Sequence, residues 1–220
     1  DPATGDRTTP NHVDLATGIQ SGGPQGCGAG QLERTTIAAS LTEYRPLLGS
    51  DHEVKVGAQV EKGQNSGWTA FPSGVVGYTD SASQPVQAMF RQPATSGGEF
   101  ITTGLYVMDN VRFADRFTAS LGLRFDHARA ISPDLPAHDA QGNETGATIR
   151  GLGTLYTWNV LSPRLGLTAR LTADGKTMLR TNYGRFHQGI LTGEPSAVHP
   201  GLTPTTTAGF DQATGQYSRV

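Results

Sequence analysis

The chain has 220 residues, with 17 basic against 19 acidic side chains and a single cysteine, Cys27. That balance gives no footing to a nucleic-acid partner or an anionic membrane surface, and one cysteine rules out a disulfide framework or a cysteine-based metal site. The 29 glycines and 13 prolines make up about a fifth of the sequence, against a usual share of roughly 12%, so turns and loops dominate and helix is scarce.

No apolar run approaches the ~20 residues of a transmembrane helix. A helical membrane protein is thereby excluded, but a barrel is not, because its strands alternate and keep average hydropathy low. The sequence opens at Asp1 with neither an initiator Met nor a signal sequence, as expected of a mature form or of a piece of something longer.

Taken in order, residues 1–33 are polar and loop-like, and residues 34–44 (RTTIAASLTEY) give a first strand. A short link, RPLLGSDH, leads to a second at 53–61, where Val54, Val56, Ala58 and Val60 alternate with Glu53, Lys55, Gly57, Gln59 and Glu61. Residues 62–100 read as a long loop, and 101–113 as a strand whose faces stay open, since Tyr106 and Met108 compete with Leu105 and Val107.

A turn around Ala114, Asp115 and Arg116 leads into 117–130, the clearest alternation in the chain. There Phe117, Ala119, Leu121, Leu123 and Phe125 share one parity, and Thr118, Ser120, Gly122, Arg124 and Asp126 the other. Residues 131–159 form another long loop before strand 160–171, with Leu161, Leu165, Leu167, Ala169 and Leu171 on one side. TADGK, with Gly175 available for a positive φ, turns into a last strand at 177–187, and 188–220 close the chain as loop.

Two-residue periodicity with one apolar and one polar face fits a half-buried soluble strand or a strand between lipid and a wet lumen. The connections decide between them: long, short, long, short, long, short, long. A compact soluble domain rarely carries several structureless segments of that length. Outer-membrane barrels combine short periplasmic turns with long extracellular loops, and each run is near the roughly 9–11 residues a tilted strand needs to cross a bilayer.

The polar parity points the same way. Arg124, Arg164, Arg170 and Arg180 lie on it, with Glu53, Glu61 and Asp126 as partners, while the opposite parity is expected to hold no charge. Gly57, Gly122, Gly166 and Gly184 recur there too, as curvature or a close approach from inside a barrel would require. The expected fold is all-β: an antiparallel transmembrane barrel, present as a partial wall of about six strands with long extracellular loops.

Three stretches carry a family resemblance. LYVMDNVRFADRFTASLGLRFDH (105–127) resembles the aromatic-x-x-Asp-x-x-Arg, turn, GLR-aromatic-Asp hairpin of TonB-dependent outer-membrane receptors. LSPRLGLTARLTADGKTMLRTNYGRFHQG (161–189) is similar to a second hairpin of that family, and DHEVKVGAQVEKG (51–63) to the strand that precedes both. The pattern is most like the large Oar-like receptors, in which a carboxypeptidase-regulatory-like domain precedes the plug.

The resemblance implies a barrel of about 22 strands around a plug. It further implies residence in the cell outer membrane of a Gram-negative bacterium, contact with outer-membrane lipid, and import of a small ligand of siderophore, saccharide or peptide class. Energy would come from the TonB–ExbB–ExbD complex through parts outside this chain. Six strands are fewer than the eight of the smallest such barrels, so the chain is expected to be an internal piece of the wall, without plug or TonB box. A non-transporting structural or adhesive barrel protein is the alternative.

Catalytic, cofactor and metal sites are expected to be absent. Asp51-His52-Glu53 and Asp126-His127 place neighbours on opposite strand faces, where they cannot share one ion, and a strand-end histidine is expected to be solvated. GKT at 175–177 lacks the glycine of a phosphate loop, which is Arg170 here, and GCGAGQ at 26–31 ends in Gln31 rather than the glycine of a dinucleotide fingerprint. There is no G-x-S-x-G elbow. Trp68, Phe71, Tyr78, Phe90 and Phe100 of the 62–100 segment are expected to pack the loop or to stack on a ligand. Which residues contact a ligand is left open.

Overall fold

The computed structural model describes residues 8–219. Its strands, in chain order, are β1 (Asn11–Asp14), β2 (Gln20–Gly22), β3 (Cys27–Leu47), β4 (Ser50–Ala70), β5 (Val75–Ser81), β6 (Gln84–Arg91) and β7 (Ala94–Phe113). Then come β8 (Phe117–Ser132), β9 (Leu135–His138), β10 (Glu144–Ile149), β11 (Gly153–Arg170), β12 (Met178–Gly184), a single helical turn α1 (Gly193–Ser196), β13 (Thr205–Asp211) and β14 (Gln216–Arg219).

Six of these form the expected wall, an antiparallel sheet in the order β3-β4-β7-β8-β11-β12. The turns after β3, β7 and β11 share one rim, and every long segment leaves the other. Among the described residues β3 and β12 are edges with one partner each.

The register fixes the faces that the sequence left open. Val56 stands opposite Leu41 and Val107, and Val107 opposite Leu123, which is opposite Pro163. Odd-numbered β7 residues therefore share a face with Leu121, Leu123 and Phe125, and Tyr106 and Met108 share the other with Arg124. Leu105, Val107, Leu121, Leu123, Phe125, Leu161 and Leu165 are all exposed, which for a contiguous apolar band marks a surface meant for an apolar medium.

The band also tilts across the wall. On β4 it reaches up to Val60, whose row continues through Thr103 to His127. On β8 it reaches down through Ala119 to Phe117, and the row of Ala119 holds Val111 and His52. A band perpendicular to the barrel axis has to step through the register in this way when strands are tilted. Phe113 and Phe117 stack at 5.3 Å at the turn rim, where aromatic girdles sit.

Above the band the polarity of the faces inverts. His127 and Arg129 take the outer side and are exposed, while Ala128 and Ala130 are buried on the inner side. Lys62 and Glu99, both outward, pair at 3.0 Å at that level. The strands thus continue beyond the lipid-facing zone as a freestanding wall.

That continuation explains why the observed bounds differ from those expected. β3 begins at Cys27 rather than 34, β4 runs on to Ala70 rather than 61, and β7 begins at Ala94 rather than 101. The added parts, such as GQNSGWTA of β4, are polar and Gly-rich and show no alternation. Backbone ladder bonds hold them there, on both sides for β4, whose extension lies between those of β3 and β7. β12 is shorter than 177–187 and ends at Gly184, because the chain then turns inward.

The long segments are not structureless either. They build a second sheet, β14-β13-β6-β5-β1-β2, antiparallel except for a parallel β1–β5 pair, and a β9–β10 hairpin. Asp14 pins two turns of that sheet, accepting from the backbone amides of Ser83 at 2.7 Å and Ala16 at 2.9 Å. These bonds, led by Ser83, hold its carboxyl below the usual carboxylate range. Tyr217 gathers Tyr78, Phe90 and Phe210 around it, at centroid distances of 5.1 to 6.4 Å, over the buried Ala88 and Ala208.

The turn between β3 and β4 is strained by its sequence. Leu48 and Gly49 link β3 to β4 with φ of +52° and +74°. Positive φ at both central positions of a two-residue hairpin favours Asn-Gly, and a leucine there crowds its own backbone. Leu48→Asn is expected to stabilise an intact barrel by up to about 1 kcal/mol, read by equilibrium unfolding. Unchanged or lowered stability would contradict the turn assignment.

Candidate functional site

The inner face of the wall is built on glycine. A Cβ at Gly57 would stand 2.4 Å from the Tyr106 ring, at Gly63 2.3 Å from Phe100, and at Gly104 2.3 Å from the Arg124 guanidinium. Large inward side chains therefore lie flat in glycine slots on the neighbouring strand, as glycines expected on this parity would allow. Space is left free above them.

Two ion pairs stand on the inner face among the described residues. Arg124 holds Asp126, two residues along the same strand face, through Nε at 2.8 and 2.9 Å and Nη2 at 2.7 Å. Glu61 accepts from Arg34 at 2.7 Å, so its partner comes from β3 rather than from the arginines of β8–β12. Glu53 lies 3.5 Å from the Tyr44 hydroxyl and the Asn110 amide. Arg170 and Arg180 are exposed on the same face and have no ion-pair partner among the described residues.

After β12 the chain folds back across this face. Ile190 enters a cluster of Phe100, Ala128 and Ala130, with Trp158 against it, and is only 2% exposed. α1 lies over Gly98, whose Cβ would meet the Thr192 carbonyl at 2.3 Å. The Tyr156 hydroxyl donates to Glu194 at 2.6 Å. The strap is tied down beyond α1 by His199, which is fully buried: its Nε2 lies 2.9 Å from the Pro133 carbonyl, and its Nδ1 accepts from Gly201 N at 3.1 Å.

Between strap and wall is a groove of about 560 Å³. Arg34, Glu61, Arg124, Asp126 and Arg164 line its wall side, and Phe186 and Ile190 its strap side. Charged walls with an apolar roof make a wet site that can hold a ligand carrying both polar and apolar parts. Its polar wall was legible in the sequence. Its roof was not, since Ile190 and Phe186 are scattered apolar residues in a polar stretch; the flanking Gly189 and Gly193 are the one visible hint.

The expected loop aromatics separate. Tyr78 and Phe90 meet in the Tyr217 cluster, Phe100 belongs to the Ile190 cluster, and Trp68 stacks on His138 at 5.3 Å. Phe71 is buried with the Arg91 guanidinium 5.4 Å over its ring. They do not form one surface.

Two expectations about charge need correcting. His52 is not a solvated strand-end histidine: its Nδ1 lies 2.8 Å from Asp109 Oδ2. The outer parity is not free of charge either, because Asp109, facing outward beside Val54 and Leu121, lies within the apolar band. Arg45 and Glu43 add a further outward pair at 2.6 Å near the turn rim. Pairing makes such groups tolerable there, which an unpaired carboxylate would not be.

Asp51, His52 and Glu53 alternate faces, as do Asp126 and His127, whose Nδ1 lies 2.8 Å from Asn159 Oδ1 on the outer side. Among the described residues no three His, Cys, Asp or Glu side chains stand close enough to hold a metal ion.

Neither a curated protein nor a solved structure matches the chain. A family model described as TonB dependent receptor-like, beta-barrel, matches residues 6–217. That span takes in the apolar outer band, the polar inner face and the rim sheet alike, and the chain belongs to the TonB-dependent receptor β-barrel family.

Proposed function

We propose that this chain is part of the barrel wall of an outer-membrane receptor that takes up a scarce ligand by energised transport, the ligand being of siderophore, saccharide or peptide class. The observation that carries the reading is the division of one wall into a lipid-type outer band and a groove-bearing polar inner face. Such a division, with a groove of this size on the polar side, fits a barrel whose interior admits a ligand. The energy is drawn from TonB–ExbB–ExbD through parts of the receptor outside this chain, in the outer membrane of a Gram-negative cell. The receptor is of the Oar-like kind, with a carboxypeptidase-regulatory-like domain ahead of its plug. The chain itself contributes no catalysis.

The test compares spent medium from wild-type cells, cells lacking the intact receptor, and cells lacking TonB. The expected result is a small molecule whose depletion is lost in both mutants. Depletion that needs neither, together with an intact surface phenotype that needs the receptor, would favour the structural or adhesive alternative.

A further inference from the structure

A smaller recess adjoins the groove on the inner face, about 240 Å³ in volume, and shares Arg164 and Phe186 with it. Its floor is Gly122, Gly166 and Gly184, and its other sides are Met108, Ser120 and Asn182. The glycines keep it open: a Cβ would stand 2.8 Å from Asn182 Oδ1 at Gly166, 2.8 Å from the Phe186 ring at Gly184, and 3.4 Å from Arg164 Cβ at Gly122.

Arg164 differs from the other arginines of the groove. Arg34 and Arg124 are neutralised by Glu61 and Asp126 at 2.7 Å each. Arg164 has no carboxylate at ion-pair distance among the described residues; its guanidinium lies 5.0 Å over the Phe186 ring instead. A guanidinium held by its face against a ring keeps its in-plane N–H donors, the fork that takes a carboxylate or phosphate through two parallel bonds. Asn182 closes the other side of the recess, its Oδ1 lying over Gly166.

We propose that the Arg164 recess is a binding subsite for an oxyanion, the carboxylate or phosphate group of a ligand held on this wall, with Arg164 as the bidentate donor and Phe186 fixing its plane. This rests on the receptor reading but is tested apart from transport. The recess would hold the charged end of a ligand whose remainder lies in the larger groove under Ile190.

The experiment uses the intact receptor, purified in detergent, with inorganic phosphate and citrate as separate probes in equilibrium dialysis. Saturable binding of at least one probe is expected, and the stronger probe says whether phosphate or carboxylate is preferred. Arg164→Gln should weaken it by about ten-fold or more, the scale of one lost charge-assisted bond. Arg164→Lys, which keeps the charge without the fork, should fall between. Arg170→Gln, on the same face of β11 but outside the recess, should bind as the native receptor does.

Heat-modifiable gel mobility verifies that each variant is folded. Absence of saturable binding, equal binding by native and Arg164→Gln receptors, or an equal loss in Arg170→Gln would each overturn the proposal. Binding that depends on Arg164 in a receptor that performs no TonB-dependent uptake would leave the subsite standing and remove the transport reading.

Discussion

Leu165→Arg in the intact receptor is expected to destabilise the barrel by about 2–4 kcal/mol, the cost of a charge on the lipid face near the bilayer midplane. Leu165 lies midway along the apolar run of β11 from Leu161 to Ala169, between Leu121 of β8 and Tyr183 of β12, and is exposed. Its side chain therefore has no protein core to lose, and the penalty comes from the surrounding medium.

Thr168→Arg is the control. Thr168 faces inward on the same strand, beside Arg180 in the register and two residues before Arg170, and an added arginine there meets water and these two like charges. It should cost a small fraction of the Leu165 penalty. Equilibrium unfolding in phospholipid vesicles measures both, and equal penalties would contradict the assignment of faces.

The second large effect concerns the strap. Ile190 fills a pocket among Phe100, Ala128 and Ala130, and truncating a fully buried isoleucine costs about 2–5 kcal/mol. Gly98→Val attacks the same docking from the wall, because its Cβ would lie 2.3 Å from Thr192 O and 2.8 Å from Ser196 N. Both are backbone atoms, so no change of side-chain rotamer relieves the clash, and overpacking of this kind costs about 1–3 kcal/mol.

Neither change touches the pairing of the wall, so the loss should appear as local opening rather than as unfolding of the barrel. Hydrogen exchange is expected to lose protection across 186–202 in both variants and to keep it in the membrane-facing parts of β8 and β11. Unaltered protection of 186–202 in both would show that the strap is not held by these contacts.

The parts of the fold legible in the sequence were those governed by the surrounding medium. Where Leu121, Leu123 and Phe125 face lipid and Arg124 and Asp126 face water, strict alternation is forced, and strand, face and turn rim all follow. Above Phe125 the requirement changes: Ala128 and Ala130 are buried inward while His127 and Arg129 face out. The pattern inverts there, yet the strand read over 117–130 still falls only two residues short of Ser132. On β3, β4 and β7, whose outer parts show no alternation, a reading by periodicity makes the strands too short.

The rim sheet was missed for a related reason. Its pairings join segments distant in sequence, such as Thr206 with Phe90, and short Gly- and Thr-rich strands carry little signal of their own. The outward Asp109 was hidden because its acceptability depends on His52, which lies 57 residues away along the chain. Of the candidate site, the inward arginines and glycines were visible, whereas the roof depended on where one isoleucine of a polar tail comes to rest.

The most direct measurement of the central claim, that the apolar face of this wall meets lipid and its polar face a wet interior, is accessibility of spin labels in the intact receptor in vesicles. Labels at Leu121, Leu123, Leu165 and Leu167 should be relaxed by membrane-dissolved oxygen, and labels at Thr118, Ser120 and Thr168 by a water-soluble relaxer. Leucine positions shielded from both agents would make the apolar face a protein core and contradict the account.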